Sequence, residues 1–202
     1  MVAAIALVLS MPLMALAAAL VFFDSEGPVL FRQRRMGRHG REFTLFKFRS
    51  MRCDTTPSSC VTASGDLRIT RAGAFLRRYK LDELPQFWNV LRGDMGLVGP
   101  RPKLPHLEPL HMTYRPGITG PATLAFRNEE DLLSGIPADE VEVFYDRYIK
   151  PAKAQIDFEY MRRATFRSDL ALICRTFGAC LSSEDAQDQA SSLTEAAETI
   201  AR

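Results

Sequence analysis

The sequence predicts an α+β protein in which an apolar N-terminal helix leads into a short β-hairpin and a series of amphipathic helices. Three observations carry that prediction. Residues 1 to 23 contain no charged side chain, and Ser10 and Pro12 interrupt an otherwise apolar run. Two strand-like runs, Val29-Leu30-Phe31 and Phe43-Thr44-Leu45-Phe46-Lys47-Phe48, bracket a Gly37-Arg38-His39-Gly40 turn. From residue 70 onward, capping residues precede apolar side chains at helical spacing.

As a helix, the first 23 residues reach about 34 Å at roughly 1.5 Å per residue, enough to cross a bilayer. A secretory signal would want a basic stretch ahead of the apolar run, and none precedes it. Pro12 removes one helical hydrogen bond and favours a kink, while the Ser10 hydroxyl can bond a freed carbonyl inside the apolar phase. On these residues alone, a spanning helix that tolerates its proline is the simpler reading. Asp24-Ser25-Glu26-Gly27-Pro28 then ends the helix with turn chemistry.

The net charge of +2 says little about partners, but its distribution says more. Between Arg32 and Arg52 eight basic residues face one acid, Glu42. Beside an apolar segment such a run suits anionic headgroups and marks the cytoplasmic side. Few aromatic residues interleave with it, so no nucleic-acid partner is expected. Cys53, Cys60, Cys174 and Cys180 show no zinc-site spacing and read as reduced thiols.

Residues 53 to 69 read as a polar surface loop. Thr70 can cap a helix over 71 to 79 that turns Phe75 and Leu76 inward and Arg77 and Arg78 outward. A second helix is expected over 82 to 92, with Pro85 in its first turn and Leu84, Phe87, Trp88 and Leu91 on an apolar face. Trp88 reads as core or membrane-facing rather than as a sugar platform. At the start of that helix stand two adjacent carboxylates, Asp82 and Glu83, flanked by Arg77, Arg78 and Lys80, with Arg101 beyond a rigid Gly99-Pro100-Arg101-Pro102 turn. Acids at a helix start are often simple caps, but with fixed arginines they also suit an anionic ligand and a divalent cation.

His106 and His111 receive no chemical role. Helices are expected from Pro137, over 152 to 163, and from a Ser168 cap to Leu181, followed by a mobile polar tail. The organisation is therefore residues 1–23 as membrane helix, 24–180 as functional domain and 181–202 as tail.

The segment Leu81-Asp82-Glu83-Leu84-Pro85-Gln86, Asn89-Val90-Leu91 and Gly93-Asp94-Met95-Gly96-Leu97-Val98-Gly99-Pro100-Arg101-Pro102 closely resembles the signature of bacterial sugar transferases, the monotopic phosphoglycosyl transferases. Gly96 stands where that family usually carries Ser. The family's second signature recurs unchanged as Arg115-Pro116-Gly117-Ile118-Thr119-Gly120, and the hairpin region with its Phe-Lys-Phe-Arg-Ser-Met run is also similar.

The resemblance implies a covalent mechanism. Asp82 would attack the β-phosphate of a UDP-sugar and carry the phospho-sugar, with Glu83 assisting, and a polyprenyl phosphate would then accept it, leaving UMP. It further implies Mg²⁺ at Asp82, phosphate or nucleotide contacts from Lys47, Arg77, Arg101, Arg127 and Thr119, and a second candidate contact in Arg49. It favours a re-entrant helix broken at Ser10 and Pro12, against the simpler spanning reading. The family's basic start ahead of this helix is missing, which leaves the true N-terminus open. The expected place is the bacterial inner membrane, among its lipids, with the catalytic domain on the cytoplasmic face and a role at the first membrane step of glycoconjugate or exopolysaccharide synthesis. The alternative is a non-catalytic, membrane-anchored module that binds polyanions, which would explain the basic run but not the Asp82-Glu83 pair. The sugar, the polyprenol and the oligomeric state are not legible.

Overall fold

The computed structural model describes residues 2–52, 66–105, 113–137 and 139–181, apart from the side chains of residues 130, 131, 134 and 181. Most of the expected loop after residue 52, His106, His111, Cys53, Cys60 and the tail from residue 182 lie outside the described residues. The chain falls into two units, Met1–Thr55 with Leu67–Gly120, and Thr56–Asp66 with Pro121–Arg202.

In the first unit, helix α1 runs Val2–Asp24 as one helix through Pro12. Pro12 cannot donate to the Val8 carbonyl, and the Ser10 hydroxyl donates to the Leu7 carbonyl at 3.0 Å. Among the described residues this is the one helix long and apolar enough to cross a membrane. Val8, Leu9, Met11, Phe22 and Phe23 are exposed on it. Its inner edge, Ala17 and Val21, joins Phe48 and Leu76 in a buried core, with Met14, Val29, Leu30 and Leu81 packed around them.

Strands β1 (Leu30–Met36) and β2 (Glu42–Phe48) form the expected antiparallel hairpin, with Leu30 opposite Phe48 and Met36 opposite Glu42. His39 and Gly40 take left-handed conformations at the turn, φ 58° and 72°. The basic run is not one solvated face. Arg35 donates to the Pro102 carbonyl at 3.0 Å and Arg38 to that of Thr113 at 2.7 Å, so the hairpin holds the segment that carries Arg101.

Helix α2 (Arg71–Arg78) starts at Thr70, whose hydroxyl accepts from the Gly73 N–H at 2.9 Å. Leu76 is fully buried, but Phe75 is exposed, contrary to expectation. Asp82 and Glu83 lie not in an α-helix but on a 3₁₀ turn, Leu81–Glu83, ahead of α3 (Gln86–Arg92). The apolar face expected of α3 is also reversed in part. Trp88 is 50% and Leu91 40% exposed, while Gln86 and Asn89 are buried.

The cause is the outer edge of β2, which no third strand covers among the described residues. Asn89 Nδ2 donates to the Thr44 carbonyl at 2.7 Å and its Oδ1 accepts from the Phe46 N–H at 3.1 Å. One buried amide thus satisfies two edge groups as a neighbouring strand would. Strands β3 (Gly96–Val98) and β4 (Gly117–Thr119) pair in parallel and complete the unit.

Among its described residues the second unit is helical: α4 (Pro121–Ala125), α5 (Glu129–Ser134), α6 (Val141–Phe144), α7 (Lys150–Arg163) and α8 (Phe166–Leu181). A π turn over Tyr145–Ile149 joins α6 to α7. Pro151 sits in the first turn of α7, where a proline is tolerated. Thr165, not Ser168, caps α8. The Ser168 hydroxyl accepts from the Thr165 N–H at 2.8 Å while Thr165 Oγ1 accepts from the Ser168 N–H at 3.2 Å, a reciprocal capping box.

Candidate active site

Lys80 begins the site. It follows the last residue of α2 and its C-cap Tyr79, where helices commonly place glycine, and it takes φ 55°, ψ 24°. That left-handed step swings the chain directly into the 3₁₀ turn and buries both carboxylates, Asp82 at 5% and Glu83 at 7% exposure. Strand β2 supplies Lys47, α2 supplies Arg77, and the segment after β3 supplies Arg101.

The Arg101 segment is fixed by two glycines. A Cβ on Gly99 would lie 2.5 Å from the Arg115 carbonyl oxygen, and one on Gly117 would lie 2.2 Å from the Gly99 nitrogen. The two signature stretches therefore cross backbone to backbone, at a spacing that only glycine permits. The Gly99 N–H donates to the Thr119 carbonyl at 2.9 Å and the Gly117 N–H to that of Pro100, also at 2.9 Å. Thr119 itself is buried on β4.

The two neighbouring carboxylates have opposite electrostatics. Burial pushes Asp82 up to about 6, the nearby Glu83 charge adds to that, and Lys47, Lys80 and Arg77 pull the other way. Burial would also raise Glu83, but Arg101, Lys80 and Lys47 together outweigh it and hold Glu83 below its usual range. Arg101 Nη2 donates to Glu83 Oε1 at 2.9 Å. Lys47 is pushed down by burial, with Arg101 and Arg77 adding to that against the attraction of Asp82 and Glu83. Glu83 is locked and charged. Asp82 is the titratable member, and its buried Oδ1 has no hydrogen-bond partner.

An unpartnered carboxylate oxygen among cations can receive a phosphorus centre or a cation. Among the described residues no three His, Cys, Asp or Glu side chains converge into a metal cage. One carboxylate with an unpartnered oxygen does fit Mg²⁺, which takes much of its shell from substrate phosphates and water.

A family profile described as bacterial sugar transferase matches residues 1–183. The chain belongs to the bacterial sugar transferases. Its relatives include the UDP-glucose:undecaprenyl-phosphate glucose-1-phosphate transferase of Xanthomonas campestris pv. campestris, 43% identical over 86% of this chain and 36% of that protein. The UDP-N-acetylgalactosamine-undecaprenyl-phosphate N-acetylgalactosaminephosphotransferase of Aeromonas hydrophila is 36% identical over 86% of this chain and 40% of its own length. A UDP-glucose:undecaprenyl-phosphate glucose-1-phosphate transferase of Caulobacter vibrioides is 36% identical over 91% of this chain and 68% of its own. The chain thus spans less than half of the first two.

In this sugar transferase, Lys47, Arg77, Asp82, Glu83 and Arg101 act on one another within the first unit. Arg127 belongs to the second unit. Arg49, the second phosphate candidate, is elsewhere engaged: it is 3% exposed and its guanidinium donates to carbonyls at the end of α1. Sequence reasoning missed Asn89 and the left-handed Lys80. The signal for Asn89 was a polar residue three positions after Gln86 inside an apolar helix pattern.

Proposed function

We propose that this chain transfers a sugar 1-phosphate from a UDP-sugar to a polyprenyl phosphate through an aspartyl intermediate. The observation that carries the reading is the buried Asp82, its Oδ1 unpartnered amid Lys47, Arg77 and Lys80, in a family whose named relatives act on UDP-sugars and undecaprenyl phosphate. An Asp82 oxygen attacks the β-phosphorus, and the bond to the bridging oxygen breaks, so UMP leaves with that electron pair. A polyprenyl phosphate oxygen then attacks the same phosphorus and the aspartyl bond breaks, regenerating Asp82. Lys47, Arg77 and Arg101 steady the phosphate charge, with Thr119 as a further nucleotide contact. Glu83, held by Arg101, assists Asp82. Asp82 would also hold Mg²⁺, whose charge offsets that of the diphosphate.

A lipid-borne acceptor explains the apolar α1, and we place the protein in the bacterial inner membrane with the site on the cytoplasmic face. Ser10 and Pro12 support a helix that enters and leaves by the same face. Cysteines placed at the two flanks of α1 should then label from the cytoplasmic side alone, and labelling of the N-terminal flank from outside would make the helix spanning.

The decisive experiment offers a panel of UDP-sugars with Mg²⁺ and no acceptor. One sugar should release up to about one UMP per active site and add one phospho-sugar mass to Asp82, the burst expected of covalent catalysis. Polyanion binding without UMP release from any donor would favour a binding module instead.

A further inference from the structure

Arg49 is buried, and among the described residues no acid pairs with it. Its Nη2 donates to the Val21 carbonyl at 3.2 Å and to the Ser25 carbonyl, in and just beyond the last turn of α1. Its Nε and Nη1 are buried and unpartnered among the described residues. Burying an arginine this way is costly, and an apolar side chain would fill the space more cheaply. What the charge gains is the negative end of α1, where the last carbonyls have no helical partners.

The backbone around Arg49 is equally constrained. The Arg49 N–H donates to the Val29 carbonyl at 2.9 Å, and the Thr70 N–H donates to the Ser50 carbonyl at 3.1 Å. A Cβ on Gly73 would stand 2.1 Å from that same Ser50 oxygen, so α2 is seated directly on this segment. Lys47 lies two residues before Arg49, and α2 leads through Arg77 and Lys80 to Asp82. The end of the membrane helix is therefore fastened at the point from which both walls of the carboxylate site start.

We propose that Arg49 is a positioning residue that fixes where α1 leaves the catalytic unit, and so the depth at which the site meets a lipid-borne acceptor. The acceptor half of this inference rests on the proposed transferase reaction. The helix half does not.

The test uses the full chain in lipid nanodiscs, with Cys53, Cys60, Cys174 and Cys180 replaced by serine and a fluorophore on Ser25→Cys. Depth is read by quenching from lipids spin-labelled at different acyl positions. Arg49→Met should shift or broaden the depth profile, and Arg49→Lys, whose ammonium can still reach the carbonyls, should restore it. With the active UDP-sugar, adduct formation in Arg49→Met should stay within about threefold, while transfer to a long-chain polyprenyl phosphate falls about tenfold or more, as misplacement by an ångström can cause. An unchanged depth profile would overturn the proposal. So would an equal fall in adduct formation and transfer, which would mark a merely structural residue. If the parent protein releases no UMP from any donor, the transferase reading fails while the depth measurement still decides the clamp.

Discussion

The two units bury charge in opposite ways. In the second, Lys153 pairs with Glu129, meets the Tyr145 hydroxyl at 3.4 Å, and lies over the Phe126 and Tyr145 rings at 5.3 and 5.2 Å. The buried Asp157 there accepts from the Ala122 N–H at 3.3 Å. Those ions are enclosed by partners and join helices. In the first unit the buried Asp82 keeps an oxygen unpartnered. Evolution readily supplies a partner where the task is to hold helices together, so an acid left open among cations argues for an incoming group.

The largest expected effect tests that contrast. Asp82→Asn should abolish the phospho-sugar adduct and lower turnover at least about a thousandfold, as loss of a nucleophile does. The same change should raise the melting temperature at neutral pH. Asp82 has a folded pKa raised from 3.8 to about 6, so its contribution to stability is full below 3.8 and is lost as pH rises through 6. The neutral amide escapes that loss, and its advantage should vanish towards pH 4. Melting curves of both proteins across pH 4 to 8 check this, and a destabilised Asp82→Asn at pH 7 would contradict a carboxyl raised by burial.

Next comes the closed pair. Lys153→Met strands the Glu129 carboxylate, and a loss of about 3 kcal/mol is expected from breaking such a pair. Changing both, Lys153→Met with Glu129→Leu, should recover most of it. A double-mutant cycle by denaturant unfolding reads the coupling. In the first unit the corresponding break, Arg101→Gln, strands the more deeply buried Glu83 carboxylate, so it should cost stability as well as chemistry.

These contrasts bear on what the sequence could reveal. The hairpin, the Thr70 cap and the carboxylate pair follow from local rules: alternation, capping and turn chemistry act within a few residues. The inward face of α3 does not. Its apolar residues predict one side, but β2's uncovered edge demanded an amide, and only the tertiary structure shows which edge is bare. Gly99 and Gly117 were legible as members of the two signature stretches, whereas their mutual crossing joins residues 18 apart in sequence. Arg49 could be read as a phosphate contact because nothing local says that a helix end waits for it 24 residues upstream.

A pH profile is the third and milder probe. Adduct formation should rise with pH through about 6 as Asp82 ionises, and level off where Glu83, held low by Arg101, is already charged. A rate flat from pH 5 to 8 would mean that another group limits the step.

The smallest effect belongs to Lys80, and it separates backbone from charge. Its left-handed conformation costs an L residue roughly 1 kcal/mol, which glycine would not incur. Lys80→Gly should therefore gain up to about that much in the folded state, offset in part by the greater freedom of glycine in the unfolded chain. The charge acts in the other direction. Lys80 lowers the pKa of both carboxylates, so its removal should move the midpoint of the pH profile upward. Lys80→Asn, which tolerates the left-handed region but is neutral, should reproduce the shift without glycine's flexibility. A stable Lys80→Gly protein with an unmoved midpoint would show that Lys80 serves the turn alone, and that Asp82 owes its ionisation to Lys47 and Arg77.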